Sequence, residues 1–186
     1  MRTRYIGCLV LAMLLTASGA EARKAVLAPV KSAAIVSPTD ARDSRVLLQF
    51  ELPGDVLDSR ARVDFATLVC RARVEGAEMG EIDVFPVTTE WKDEAVVSWS
   101  DSWEKPGGDH DACFLSNIYS LKSELGEKEI VIDVTEIVQG WRSGEIANNG
   151  MILKLNADDL ENFEELTCTL DKDEVALRVF YSYEYK

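Results

Sequence analysis

Apolar and polar residues alternate along much of this chain, in short runs broken by turn-forming residues. VDFATLVCRARV (Val63–Val74) sets Ala66, Leu68, Cys70, Ala72 and Val74 on one face and Phe65, Thr67, Val69, Arg71 and Arg73 on the other. A period of two with a polar-leaning second face marks a half-buried strand. Further strands are predicted over Val46–Pro53, Glu81–Thr89, Glu94–Ser100, Glu129–Val134, Gly150–Ala157, Glu165–Leu170 and Glu174–Tyr185. Pro53-Gly54, Gly76, Gly80, Pro106-Gly107-Gly108, Asn148-Asn149-Gly150 and Asp171-Lys172-Asp173 supply the turns between them. One stretch breaks the alternation. Thr135–Glu145 (TEIVQGWRSGE) places Ile137, Val138 and Trp141 at helical spacing, with Thr135 as a candidate N-cap and Gly144 as a candidate terminator. A single short helix among eight to ten strands implies an all-β fold, a β-sandwich of two antiparallel sheets whose helix closes one end.

The start of the chain follows another pattern. Arg2 and Arg4 precede an apolar run, Ile6–Leu15, and the small residues Ser18-Gly19-Ala20, which is the layout of a secretory signal peptide over residues 1–22. The expected product is secreted, to the extracellular space, the cell surface or the periplasm. No later segment approaches the roughly 18 apolar residues of a membrane span. Residues 23–44 form an N-terminal lead in which Ala25–Val36 could add a strand, confined to an edge by Pro29. The sandwich proper is expected over 45–186.

Composition narrows the partners. The chain carries 33 acidic against 20 basic residues, a net charge of −13. Such a surface repels nucleic acid and anionic lipid. After removal of the leader three cysteines remain, Cys70, Cys113 and Cys168. In an oxidising compartment that is one disulfide and one odd thiol. Cys70 lies in a strand-like run suited to a buried thiol, which favours a Cys113–Cys168 bridge.

Three blocks in register carry a family resemblance. RVLLQFELP…ARVDFATLVCRARV is followed by FPVTTEWKDEAVVSW, with Val87, Thr88, Trp91, Glu94, Val97 and Trp99 at spaced positions. The third block is IDVTEIVQGWRSGEIANNGMILKL, with Asp133, Val134, Thr135, Val138, Gln139, Trp141, Gly144, Asn148, Gly150, Leu153 and Lys154. Together, over about Arg45 to Tyr183, they resemble the DNRLRE-type, disaggregatase-related domains of secreted bacterial and archaeal proteins. The resemblance implies a jelly-roll sandwich and a non-catalytic role, often carbohydrate binding.

The candidate chemistry is sparse. Trp99 and Trp141 fall on apolar faces and read as core, and Trp91, just before the Lys92-Asp93-Glu94 turn, reads as a cover over one end of it. Trp103 lies in a loop rich in glycine and acid, DSWEKPGGDHDACF, where an indole could stack on a sugar ring while Asp101 or Asn148 bonds its hydroxyls. Arg71 and Arg73 form a positive stripe that could hold an acidic sugar, or could simply face cross-strand acids. Asp109 and Asp111 flank His110 and are candidate calcium ligands, although no calcium-hand loop surrounds them. His110 is the only histidine, and no nucleophile motif accompanies it, so no enzyme activity is expected. Two roles follow. One is a secreted carbohydrate-binding module acting on cell-surface or extracellular polysaccharide. The other is a structural or assembly protein of the envelope or extracellular matrix that binds protein partners.

Overall fold

The structure is a computed structural model that describes residues 22–39, 45–74, 81–92, 96–100, 103–118, 126–156 and 175–183. The leader up to residue 21, Asp101, the Glu165–Leu170 strand and Cys168 lie outside them. Among the described residues, ten strands form two sheets. In chain order they are β1 (Ala22–Leu27), β2 (Lys31–Ile35), β3 (Arg45–Gln49), β4 (Ala61–Val74), β5 (Glu81–Pro86), β6 (Val96–Val97), β7 (Ser116–Ile118), β8 (Gly126–Asp133), β9 (Met151–Asn156) and β10 (Ala176–Tyr183). A single helical turn, α1 (Gly54–Leu57), follows β3, and the nine-residue helix α2 (Thr135–Ser143) follows β8.

The four-stranded sheet runs β1-β10-β4-β8 and the six-stranded sheet β6-β2-β3-β9-β5-β7. Setting aside β2 and β6, the other eight strands fall into β1-β10-β4-β8 and β3-β9-β5-β7, the jelly-roll order, in which each step along the chain changes sheet except that from β5 to β7, which pair side by side. All pairs are antiparallel except β2 with the two-residue β6. The N-terminal lead belongs to the sandwich. Ala28-Pro29-Val30 carries the chain from β1, the edge strand on β10, to β2 on β3 in the other sheet. Pro29 thus sits between strands, where its missing N–H costs no ladder bond.

The core between the sheets joins Leu48, Val84, Met151 and Leu153 from one side to Leu68, Cys70, Ile130, Ile132, Leu177 and Val179 from the other. Strand β4 shows how a long strand keeps its apolar side inward. Phe180 pairs with Phe65 but Tyr181 pairs with Val63, so Asp64 is an extra residue in a β-bulge. The bulge reverses the alternation: Ala61 and Val63 point inward before it, Ala66, Leu68 and Cys70 after it.

A second core lies on the outer face of the six-stranded sheet. Leu47 and Ile152 have the opposite parity to Leu48 and Met151, and with Ala33, Ile35 and Phe85 they meet Val87, Trp91, Val97 and Trp103. The described parts of the segment between Val87 and His110 therefore roof this sheet. Trp91 donates from Nε1 to the Asn149 carbonyl at 2.7 Å and Trp103 to the Ser98 carbonyl at 2.9 Å. The Arg45 guanidinium lies 4.6 Å from the Trp99 ring centroid and donates to the Gly107 carbonyl. Gly108, at φ +99°, brings the backbone so close that a Cβ there would lie 2.8 Å from Ile152 Cδ1.

Candidate functional site

The residues singled out in the sequence are structural where the structure describes them. Trp103 is only 9% exposed, so the indole expected as a stacking face is instead roof over the second core. Asn148 donates from Nδ2 to the Phe50 carbonyl at 2.8 Å, while its own carbonyl accepts from Gln49 at 2.9 Å. It ties the α2–β9 connection to β3 and its end. Asp109 is buried, and its carboxylate accepts from the backbone N–H groups of Glu104 and Lys105, both at 2.8 Å, and from the Thr89 hydroxyl at 3.0 Å. Burial pushes its pKa up, but those three hydrogen bonds outweigh it and hold the carboxyl below its usual value. Asp111 serves a different loop, accepting from Cys113 N–H at 2.9 Å to cap a 3-10 turn, Ala112–Phe114. The two aspartates are thus engaged separately, and among the described residues no group of three or more His, Cys, Asp or Glu side chains converges as a metal site.

His110, between them, is half-buried, with Nδ1 3.0 Å from the Gly108 carbonyl and its ring 4.6 Å from that of Phe85. Burial lowers its pKa. Cys113 carries a free, exposed thiol, so the Cys113–Cys168 bridge expected from the cysteine count is not formed in this structure, and Cys70 is buried in the core as expected. The backbone register sets Arg71 opposite Glu129 and Arg73 opposite Glu127.

The open concavity is elsewhere, beside α2. Helix α2 begins with Thr135 as its first helical residue rather than as its cap, because Asp133 Oδ1 accepts from Thr135 N–H at 2.9 Å. Thr135 Oγ1 in turn accepts from Ala66 N–H at 2.9 Å, and Val134 N–H donates to the Ala66 carbonyl at 2.9 Å. These bonds fasten the helix start to β4 just past the bulge. Gln139 donates to the Val63 carbonyl at 3.0 Å, just before the bulge, and Arg142 donates to the carbonyls of Asp58 and Ser59, each at 3.1 Å. Ile137, Val138 and Trp141 face the core, and Gly144, at φ +77°, ends the helix as expected.

This anchoring leaves the polar side of α2 facing a groove of two lobes. One, about 530 Å³, is lined by Asp64, Phe65, Leu115, Asp133, Glu136 and Gln139, among others. The second, about 410 Å³, is lined by Arg62, Phe114, Glu136, Gln139, Arg142 and Glu145, among others. Glu136 and Gln139 belong to both, so the lobes adjoin along one side of the helix. Arg62 pairs with Asp64 at 2.7 Å, across the bulge. Below the helix end, hydrogen bonds from Arg60 hold the Asp58 carboxyl down to about 2. No protein-family model matches this chain, and no curated protein matches it at a significant level. Among the described residues no helix is long and apolar enough to cross a membrane.

The groove was invisible in the sequence because its walls come from β4, the 3-10 turn and α2, segments far apart in the chain. The one local signal was the spacing of Glu136, Gln139 and Ser143, three and four residues apart on the side of the helix away from its apolar stripe.

Proposed function

We propose that the protein is a secreted, non-catalytic module that binds neutral polysaccharide along the α2 groove. The observation that supports this reading most is the joining of the two lobes at Glu136 and Gln139 into one elongated, open channel. A shallow channel accepts a segment of a polymer rather than engulfing a small molecule. Its lining matches a polyol: carboxylates and a carboxamide to accept from hydroxyls, guanidinium groups to donate to them, and the half-buried Phe114 ring as an apolar surface for C–H faces. Asp64, Asp133, Glu136 and Glu145 outnumber Arg62 and Arg142, which disfavours an anionic sugar. The resemblance of the three sequence blocks to the DNRLRE-type domains supports the same role.

The test is affinity electrophoresis or calorimetry against neutral and acidic glycans with the purified protein. The expected result is binding to a neutral polymer that falls at least about tenfold with Glu136→Ala, a loss of roughly 1.4 kcal/mol, at unchanged melting temperature. Binding unaffected by Glu136→Ala and Phe114→Ala would remove the groove from consideration. A second reading, an assembly protein of the envelope or matrix, is favoured by one specific observation: the apolar side chains exposed on the outer face of the four-stranded sheet.

A further inference from the structure

The two lobes of the α2 groove share Glu136 and Gln139 and differ in the rest of their lining. The lobe beside Arg62 sets one fixed acceptor against a bare apolar wall. Gln139 supplies the acceptor. Its Nε2 donates to the Val63 carbonyl at 3.0 Å, which decides how the carboxamide is turned. Oε1 is left over. Among the described residues no donor is bonded to it, and it is not buried.

The wall next to it comes from Gly140 and Phe114. A Cβ on Gly140 would lie 2.8 Å from Ile146 Cγ1 and 3.7 Å from Phe114 Cε1. The position therefore stays without a side chain, and the Phe114 ring lies against the helix one residue from Gln139. Val63, from β4, also lines this lobe.

An acceptor beside a ring discriminates between donors. A sugar hydroxyl can donate to Oε1, but its own lone pairs then face an apolar surface and lose their bonds to water. The N–H of an acetamido group donates without bringing lone pairs of that kind. In the planar trans amide the N–H and the methyl project to the same side and the carbonyl to the other. The N–H can thus meet Oε1 while the methyl covers Phe114 and leaves water. On the same lobe Arg62 holds Asp64 through Nε, at 2.8 Å, and Nη2, at 2.7 Å, and retains Nη1 as a donor for the acetamido carbonyl.

We propose that Gln139 determines the specificity of the groove, and that the polymer it binds is built from N-acetylhexosamine, its acetamido group held between Gln139 and Phe114. This rests on the polysaccharide reading and narrows it to one class of neutral sugar. The acetamido group carries no charge, so the acidic surplus of the groove does not oppose it.

Calorimetric titration of the whole protein with matched oligosaccharides tests the assignment. The members of each pair share a linkage and differ only at the second carbon, hydroxyl in one and acetamido in the other; cellohexaose and its N-acetylglucosamine counterpart form the first pair. The expected result is that the acetamido member binds at least about tenfold tighter. Gln139→Leu removes the acceptor and is expected to bring the ratio within a pair to about twofold or less. That variant also breaks the bond to Val63, so the ratio is the readout: a loosened helix weakens both members alike. Phe114→Ala leaves the bond in place and is expected to lower the affinity of the acetamido member more than that of the hydroxyl member. Equal binding of both members by the wild type, still lost with Glu136→Ala, overturns the acetamido assignment and leaves the groove reading standing. So does a ratio unchanged in both variants, and so does a preference for the free amine, which would give the choice to the carboxylates. Binding of neither member of any pair, or binding indifferent to Glu136→Ala, overturns the groove reading and this inference with it.

Discussion

The two sheets of this sandwich both carry apolar residues on their outer faces, and they are treated differently. On the six-stranded sheet Leu47, Ile152 and Phe85 lie beneath Trp91, Val97 and Trp103, brought over by the chain's own segment between β5 and β7. On the four-stranded sheet Val26, Phe65, Val131 and Phe180 remain exposed among the described residues. The apolar area is of one kind on both faces. What differs is the roof. A covered outer face is a second core and contributes to folding, whereas apolar side chains left in water contribute little.

Removing the roof has the largest expected effect. Trp103→Ala deletes an indole of the order of 200 Å² from the second core and leaves its bond to Ser98 unmade. The expected cost is about 3–5 kcal/mol, read by urea unfolding. A change below about 1 kcal/mol would mean that the roof is not packed and that the two outer faces are alike after all.

Asp109 ranks next, because it holds the roof rather than forming it. Asp109→Ala strands two backbone N–H groups and a hydroxyl, for an expected loss of about 2–3 kcal/mol at neutral pH. The pH dependence gives an independent check. The folded carboxyl titrates below its ordinary value of 3.8. Its contribution is therefore complete above that value and is lost as pH falls through the folded pKa. Asp55 is lowered as well, chiefly by the Tyr181 hydroxyl that donates to it, so the whole molecule weakens in acid. The difference between wild type and Asp109→Ala isolates the roof: it is expected to stay constant above pH 3.8 and to shrink below it. A difference that persists undiminished in acid would show that the carboxylate charge has no part in holding the roof.

These residues also show what was legible beforehand. Most of the strands, the helix and the sandwich could be read from periodicity, because a side chain's face depends only on its neighbours along the chain, whereas the three-residue β7 was not predicted and the Glu94–Ser100 strand is only Val96–Val97 among the described residues. Placing Trp141 in the core followed from the same logic, Trp91 was expected as a cover at the end of the core, and the structure leaves each only 6% exposed. The roof misled, because glycine, acid and tryptophan together suit a ligand loop as well as a backbone pressed tightly onto a sheet. A signal for it was nonetheless present. Val46-Leu47-Leu48 and Met151-Ile152-Leu153 are unbroken apolar runs, the mark of strands buried on both faces, and the roof is what buries the second one. The bulge at Asp64 left no such mark, since one extra residue changes neither composition nor local period. The groove depends on that bulge and on contacts between segments distant in sequence, so it could emerge only with the fold.

The smallest expected effect is the sharpest test of the contrast. Val131 lies on the uncovered face and is 44% exposed, so little of it leaves water when the monomer folds. Val131→Thr keeps the β-branched shape that a strand favours and replaces a methyl with a hydroxyl that water can reach. In dilute protein the unfolding free energy is expected to stay within about 0.5 kcal/mol of wild type. A loss well above that would show that this face is covered within the folded chain, as the other one is, because a hydroxyl buried without a partner costs more than one left in water.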